Sequence, residues 1–312
     1  MRFLKEKLRP PPLAACFRNR LSGVGFLIIC IIAFMAIFAP FISPHDPYKQ
    51  DLYAVLEKPS KTHWLGTDHL GRDLLSRVIY GSRISLYVGL VSLAISAMIG
   101  IVVGLVSGYC GGAIDNFLMR ITDAFRCFPY LVFVLALAAA LGPGINNVVL
   151  ALSLLGWTGF ARIIRGQVLV VRELPFIEAA RAIGMSECRV MLLHILPNSL
   201  SPLIVAASIF IGRAILTESG TAFLGLGVEP PLASWGRELR AGFSYLARDP
   251  YFSIVPGFMI TLTVLEFNFL GDGLRDALDP RLRGQRNTSG RKERWVKENT
   301  AAISQWKEDL QN

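Results

Sequence analysis

Long apolar runs alternate with short basic and polar stretches along this chain of 312 residues. The first run, Leu21 to Ile42, carries no charge. A helix of about 22 residues rising about 1.5 Å each covers a hydrocarbon core of about 30 Å. Five further runs, roughly 84–110, 117–141, 145–168, 199–220 and 251–273, are long enough to do the same. A spanning helix satisfies its own backbone hydrogen bonds, which lipid cannot do. The pattern therefore predicts an all-α, polytopic membrane protein: a segment 1–20, a transmembrane domain 21–283 with six helices, and a polar tail 284–312.

One boundary is ambiguous. Residues 127–161 carry no charge, so they read either as one overlong span or as two short ones divided at Gly142-Pro143-Gly144. Pro removes a donor and Gly loosens the backbone on either side, which marks a turn. Lysine and arginine decide between the topologies, because they collect on the cytoplasmic side. With six spans and the N-terminus inside, they divide 22 inside to 8 outside; with five spans, 11 inside to 19 outside. Six spans with both termini cytoplasmic is the expectation.

Composition agrees with that class. At 53% hydrophobic, 18% charged and a mean hydropathy of +0.47, the chain is too apolar for a soluble domain of this length. The run Leu21–Ile42 follows Arg2, Lys5, Lys7, Arg9, Arg18 and Arg20 and could pass for a signal peptide. Its length, and Pro40 after Ala39, favour an uncleaved anchor. Cys16, Cys30, Cys110, Cys127 and Cys188 form no Cys-x-x-Cys pair and read as free thiols. The net charge of +9 is scattered among apolar spans, which argues for membrane orientation and against nucleic acid.

Between 172 and 197 a polar insert interrupts the apolar pattern. Pro175 suits the first turn of a helix, where its missing N–H has no partner to lose. A short helix over about 175–183 is expected, ended by Gly184, with Ser186 capping a second and Pro197 marking the second helix's end or a kink. Ala179, Ala180 and Ala182 would let another backbone approach closely. The alternative is an amphipathic loop on lipid, with Glu178 complementing the helix dipole.

The spacing Glu178-Ala179-Ala180, Gly184, Leu196-Pro197 resembles the EAA loop of permease subunits in ATP-binding-cassette importers. That resemblance implies a type I importer permease fold, in which Glu178, Ala179, Ala180, Gly184, Leu196 and Pro197 seat in a cleft of the ATPase subunit. His194 stands where the family usually has Ile. Trp64-Leu65-Gly66-Thr67-Asp68-His69-Leu70-Gly71-Arg72-Asp73, continuing through Arg77 to Leu86, resembles the C-type permease of dipeptide, oligopeptide and nickel importers. Phe223-Leu224-Gly225-Leu226-Gly227 with Ser234-Trp235-Gly236, and Gly271-Asp272-Gly273 running on to Arg281, agree with it. Read locally, Asp68, Arg72, Asp73 and Arg77 make a charge-laced amphipathic helix at the outer interface.

The resemblance further implies a second homologous permease subunit, two ATPase subunits that bind the ATP and Mg, an extracytoplasmic substrate-binding protein and the bacterial inner membrane. The implied substrate is a short peptide, with nickel or a metal chelate as the alternative. No Gly-x-x-x-x-Gly-Lys-Ser/Thr occurs, so the chain itself is not expected to be an enzyme or to hold a cofactor. His45, Asp46, His63, Asp68 and His69 show no metal-ligand spacing and read as solvated loop residues. Charges inside spans are costly, which makes Arg213, Glu218 and Glu266 candidates for the pathway or its gate. Arg213 and Glu218 stand about 140° apart around one helix and should face different neighbours. A secondary transporter would show inverted repeats, which are not evident. Val296, Ile303, Trp306 and Leu310 are near helical spacing in the tail, which otherwise reads as a solvated segment.

Overall fold

The structure is a computed structural model and describes residues 20–278. The tail residues Val296, Ile303, Trp306 and Leu310 and the segment 1–19 lie outside the described residues. In chain order the helices are α1 (Arg20–Ile37), α2 (Ala39–Ile42), α3 (Leu74–Cys110), α4 (Gly112–Arg126), α5 (Tyr130–Leu141), α6 (Ile145–Val171), α7 (Pro175–Ala182) and α8 (Glu187–Val190). A π-helical turn, Met191–Ile195, follows; then come α9 (Leu196–Phe223), α10 (Trp235–Phe243) and α11 (Tyr251–Leu278). The only β pairing among the described residues is an isolated bridge between Thr67 and Asp73.

Five of these helical runs are long and apolar enough to cross a membrane, and α4 with α5 makes a sixth if the bent pair crosses as one. The expected span 117–141 is therefore not a straight helix: α4 and α5 meet at 81°. Pro129 caps α5 and cannot donate back into α4, so the helix breaks at Cys127-Phe128-Pro129, directly after Arg126. The predicted Gly-Pro-Gly turn divides α5 from α6, with Gly142 at φ +85° and Gly144 at φ +144°. Gly144 donates its N–H to the Gly227 carbonyl at 3.0 Å, tying this turn to the loop after α9.

Parallel packing of α3 on α6 forms the spine, with contacts advancing from Tyr87–Asn146 through Ser96–Ser153 to Gly108–Arg172. Gly100, Gly104 and Gly108 recur every fourth residue, so over this stretch one stripe of α3 presents no side chain to α6. A Cβ at Gly100 would meet the Trp157 carbonyl oxygen at 2.7 Å, and one at Gly104 the Ala161 carbonyl oxygen at 2.4 Å. At 37 residues α3 is about 55 Å long, well beyond a hydrocarbon core of about 30 Å. Its two ends therefore belong to opposite ends of the molecule.

Apolar clusters hold the other helices to this spine. Ile32 and Ala36 of α1 pack with Leu86 of α3, Ile211 and Ile215 of α9, Trp235 of α10 and Ile260 and Phe267 of α11. Val88, Val134, Val148, Leu152 and Ala214 join α5 and α6 to α3 and α9. Leu105, Phe160, Ile164, Val168 and Leu203 extend the core down to α7, where Ile177 and Ala180 complete it.

Candidate functional site

The insert forms a helix, a glycine turn and a second helix. Pro175 opens α7, and Glu178 lies in its first turn with an exposed side chain. The helix ends at Gly184, whose φ of +82° favours glycine, while Met185 N–H returns to the Ala180 carbonyl at 3.2 Å. Ser186 occupies the N-cap of α8 in an extended conformation. The short α8 passes through the π turn directly into α9, so Pro197 does not end a helix. It sits in the first turn of α9, where its missing N–H leaves an unmatched carbonyl that the wider π turn accommodates.

One face of this segment is fixed and the other is free. Ile177, Val190 and Ile195 are fully buried and Ala180 nearly so. Glu178, Ala179, Ala182, Gly184 and Pro197 are exposed, and Ile183 projects 80% exposed at the tip. Leu196 is half-buried. The His194 ring lies 6.4 Å from that of Phe176, so the residue that departs from the resembled pattern packs on the adjoining turn of α7. Arg172 donates from Nη1 to the Gly108 carbonyl at 2.8 Å, and Arg181 stacks over Tyr109 at 5.4 Å. Both contacts tie the segment to the far end of α3. An apolar plate thus rides on three long helices at once.

Farther into the fold lies a cavity of about 410 Å³ lined by Arg126, Phe128, Tyr130, Gly156, Thr158, Phe210 and Arg213, among others. Arg213 is exposed, and its guanidinium sits 4.5 Å over the Tyr130 ring, a cation–π geometry. Two arginines converging on an apolar, aromatic wall form a place where a carboxylate could be held. Glu218 does not join them. It is fully buried on another face of α9, with Ser219 Oγ donating to its Oε2 at 3.3 Å. Glu266 is also buried, its Oε2 lying against Gly25 of α1. Of the three candidate intramembrane charges, Arg213 alone lines this cavity.

The charge-laced surface helix expected around Asp68, Arg72, Asp73 and Arg77 is absent. Helix α3 starts at Leu74, so Asp68 and Arg72 belong to the preceding turn, Asp73 is the N-cap and Arg77 lies in the first turn. All four are buried. Arg72 Nε donates to Asp68 Oδ2 at 2.6 Å, and Arg77 Nη2 donates to Glu238 Oε1 on α10 at 2.6 Å, with Nη1 on the Pro47 carbonyl at 2.8 Å. The charges neutralise each other, and so they are carried inward instead of remaining on a solvated face.

Two family descriptions match the chain. The "Binding-protein-dependent transport system inner membrane component" covers residues 100–284, a range that contains the α7–α9 segment and the cavity. The "N-terminal TM domain of oligopeptide transport permease C" covers residues 15–59. The chain belongs to the family of binding-protein-dependent transport system inner membrane components. It is 41% identical over 267 residues to the dipeptide transport system permease protein DppC of Bacillus subtilis, covering 85% of this chain and 83% of the relative. It is 45% identical to the probable D,D-dipeptide transport system permease protein DdpC of Escherichia coli, over 86% and 90%. With the oligopeptide permease protein OppC of Bacillus subtilis it shares 40% identity over 85% and 87%. Inward-facing forms of the MetNI methionine transporter share its fold, with TM-scores of 0.52 and 0.53 at 19% and 20% identity over 66% of this chain and 98% of that one.

Within this permease several site residues were not visible in the linear pattern. Arg126 and Tyr130 reach the cavity only because α4 and α5 bend between them. Asp115 on α4 takes both Arg165 Nε and Nη2 at 2.6 Å, and Asp123 pairs with Arg162, so α4 is bolted to α6 by two ion pairs. His45 and His63, read as loop histidines, both turn towards Asp73. Opposite charges at matching depths were the available signal for the first pairs; separations of 10 and 28 residues hid the last.

Proposed function

We propose that the chain is the transmembrane permease subunit of an ATP-driven importer of short peptides, forming half of the translocation pathway beside a second, homologous permease. The observation that carries this reading is the division of α7: Ile177 and Ala180 are sunk in the core shared by α3, α6 and α9, while Glu178, Ala179 and Ile183 face outward. A force applied to the outer face moves the long helices with it. Family membership and the dipeptide, D,D-dipeptide and oligopeptide permeases among its relatives support the peptide reading; nickel gains nothing from them.

In this proposal two ATPase subunits bind ATP and Mg²⁺ and grip the surface from Glu178 to Pro197. ATP binding favours one of two helix arrangements through that differential contact. An extracytoplasmic binding protein delivers the peptide at the opposite end of α3, and both termini of the permease are cytoplasmic, in keeping with the charge distribution. Arg126 and Arg213 line the pathway and meet the peptide carboxylate there.

The test is peptide uptake into proteoliposomes containing the permease pair, the ATPase subunits and ATP, with the binding protein on the other side. Glu178→Arg should abolish uptake while the permease pair still assembles. Uptake that continues without any ATPase subunit, or that Glu178→Arg leaves untouched, refutes the coupling role.

A further inference from the structure

We propose that His45, His63 and Asp73 form a binding site for a divalent transition-metal ion of the zinc type, at the end of α3 remote from the coupling segment. The three residues come from separate pieces of chain: His45 follows α2, His63 lies in the long connection, and Asp73 caps α3. Their ligand atoms all fall within 4.8 Å of one another. His63 Nδ1 is 2.9 Å and His45 Nδ1 3.7 Å from the same Asp73 oxygen, Oδ1. Two imidazoles thus aim one nitrogen each at one carboxylate oxygen, with ring centroids 4.7 Å apart.

The carboxylate is held for this role. Asp73 Oδ2 accepts from the Ser76 N–H at 2.8 Å and the Ser76 hydroxyl at 2.6 Å, which leaves Oδ1 free to turn towards the histidines. The His45 N–H donates to Ser76 Oγ at 3.1 Å, so one serine fixes both the carboxylate and the backbone of a histidine. Such outer contacts orient ligands at metal sites. Asp73 is buried, His63 partly so and His45 exposed, which provides a fixed floor and an open mouth.

Two imidazoles and one carboxylate, with a position left for water, are a common zinc set. Tetrahedral bonds of about 2.0 Å place ligand atoms about 3.3 Å apart. Swinging the exposed His45 ring inward closes the difference. Two nitrogen ligands favour zinc-like ions over Mg²⁺ and Ca²⁺, which need more oxygens than one carboxylate supplies. A bound ion would staple the 43–63 connection to the first turn of α3.

The experiment titrates ZnCl₂ into the full-length permease in nanodiscs, without a polyhistidine tag, and follows binding calorimetrically. One ion per chain should bind beyond what the His45→Ala/His63→Ala double variant takes up. Each single variant should weaken binding more than about tenfold. Neither millimolar Mg²⁺ nor the His69→Gln substitution should change it. Co²⁺ at the same site should give the visible absorption of a tetrahedral complex, lost in the double variant. Zinc binding undiminished in the double variant, or an absence of binding to the wild type, overturns the proposal. Asp73→Asn is avoided because it also weakens the α3 cap.

Discussion

Arg77 Nη2 stands 2.6 Å from Glu238 Oε1, joining the start of α3 to α10 across 161 positions of chain with both side chains buried. Arg77 also lies 3.6 Å from Asp68 Oδ2, so one guanidinium serves two carboxylates away from water. Removing it alone strands Glu238, while Asp68 keeps Arg72 at 2.6 Å. Arg77→Met is expected to destabilise the protein by about 3–5 kcal/mol. The measurement is the folded fraction surviving a heat step, read by size-exclusion chromatography in detergent. Arg77→Met/Glu238→Leu should recover part of the loss, because an apolar pair leaves one fewer unpaired charge. Equal loss in the single and double variants would mean that the pair contributes through shape alone.

His69 gives this same end of the molecule a pH dependence. Its ring stacks 5.8 Å from Phe252 and 5.9 Å from Tyr245, and its buried Nδ1 has no hydrogen-bond partner. Burial holds its pKa below the ordinary 6.5, against the pull of nearby Asp68 in the other direction. The unfolded chain therefore takes up the proton first as pH falls. Stability contributed by neutral His69 is complete above about pH 6.5 and declines below it, down to the depressed folded value. Thermal stability of wild type and His69→Gln should converge in slope above pH 7 and diverge between pH 6.5 and 5, the wild type falling faster. Parallel curves over that interval would refute the assignment.

What the linear pattern revealed follows from how local each cause is. The apolar runs, the Gly-Pro-Gly turn and the short helix from Pro175 to Gly184 all depend on neighbours within a few residues, and each appears in the fold. The break at Pro129 lies inside the expected span 117–141, and the signals for it were the proline itself and Arg126 just before it. The burial of Asp68, Arg72 and Arg77 depends on Glu238, which no local rule connects to them. Arg213 was flagged by its depth in an apolar run, but its neighbours Arg126 and Tyr130 reach it only through the 81° bend. Charges were thus easy to locate and hard to pair.

The glycines of the spine separate packing from propensity. A Cβ at Gly104 would fall 2.4 Å from the Ala161 carbonyl oxygen and 2.9 Å from Ile164 Cβ, both on α6. Gly104→Val should force α3 and α6 apart and leave little monodisperse protein after extraction. Gly166 is also helical, and nothing lies within 4 Å of its missing Cβ. Gly166→Ala should be neutral or raise stability by up to about 1 kcal/mol, the helix propensity difference. If Gly104→Val extracts and melts like wild type, the close approach along the stripe is not needed.

Ile183 tests the proposed coupling surface where folding and docking can be told apart. It is 80% exposed at the tip of α7, one turn beyond Ala180 and two beyond Ile177, which face the other way into the core. An exposed isoleucine contributes little to the folded permease, so Ile183→Asp should leave yield and melting temperature unchanged. Set into an apolar cleft of an ATPase subunit, the same carboxylate would be left buried and unpaired, a penalty of several kcal/mol. Co-purification of the ATPase subunits and ATP-dependent uptake should both collapse. Ile177→Asp places the charge in the core instead and should lower the yield of folded permease whether or not a partner is present. If Ile183→Asp retains its ATPase subunits at wild-type stoichiometry, the tip of α7 is outside the interface and the grip must lie nearer His194 and Pro197.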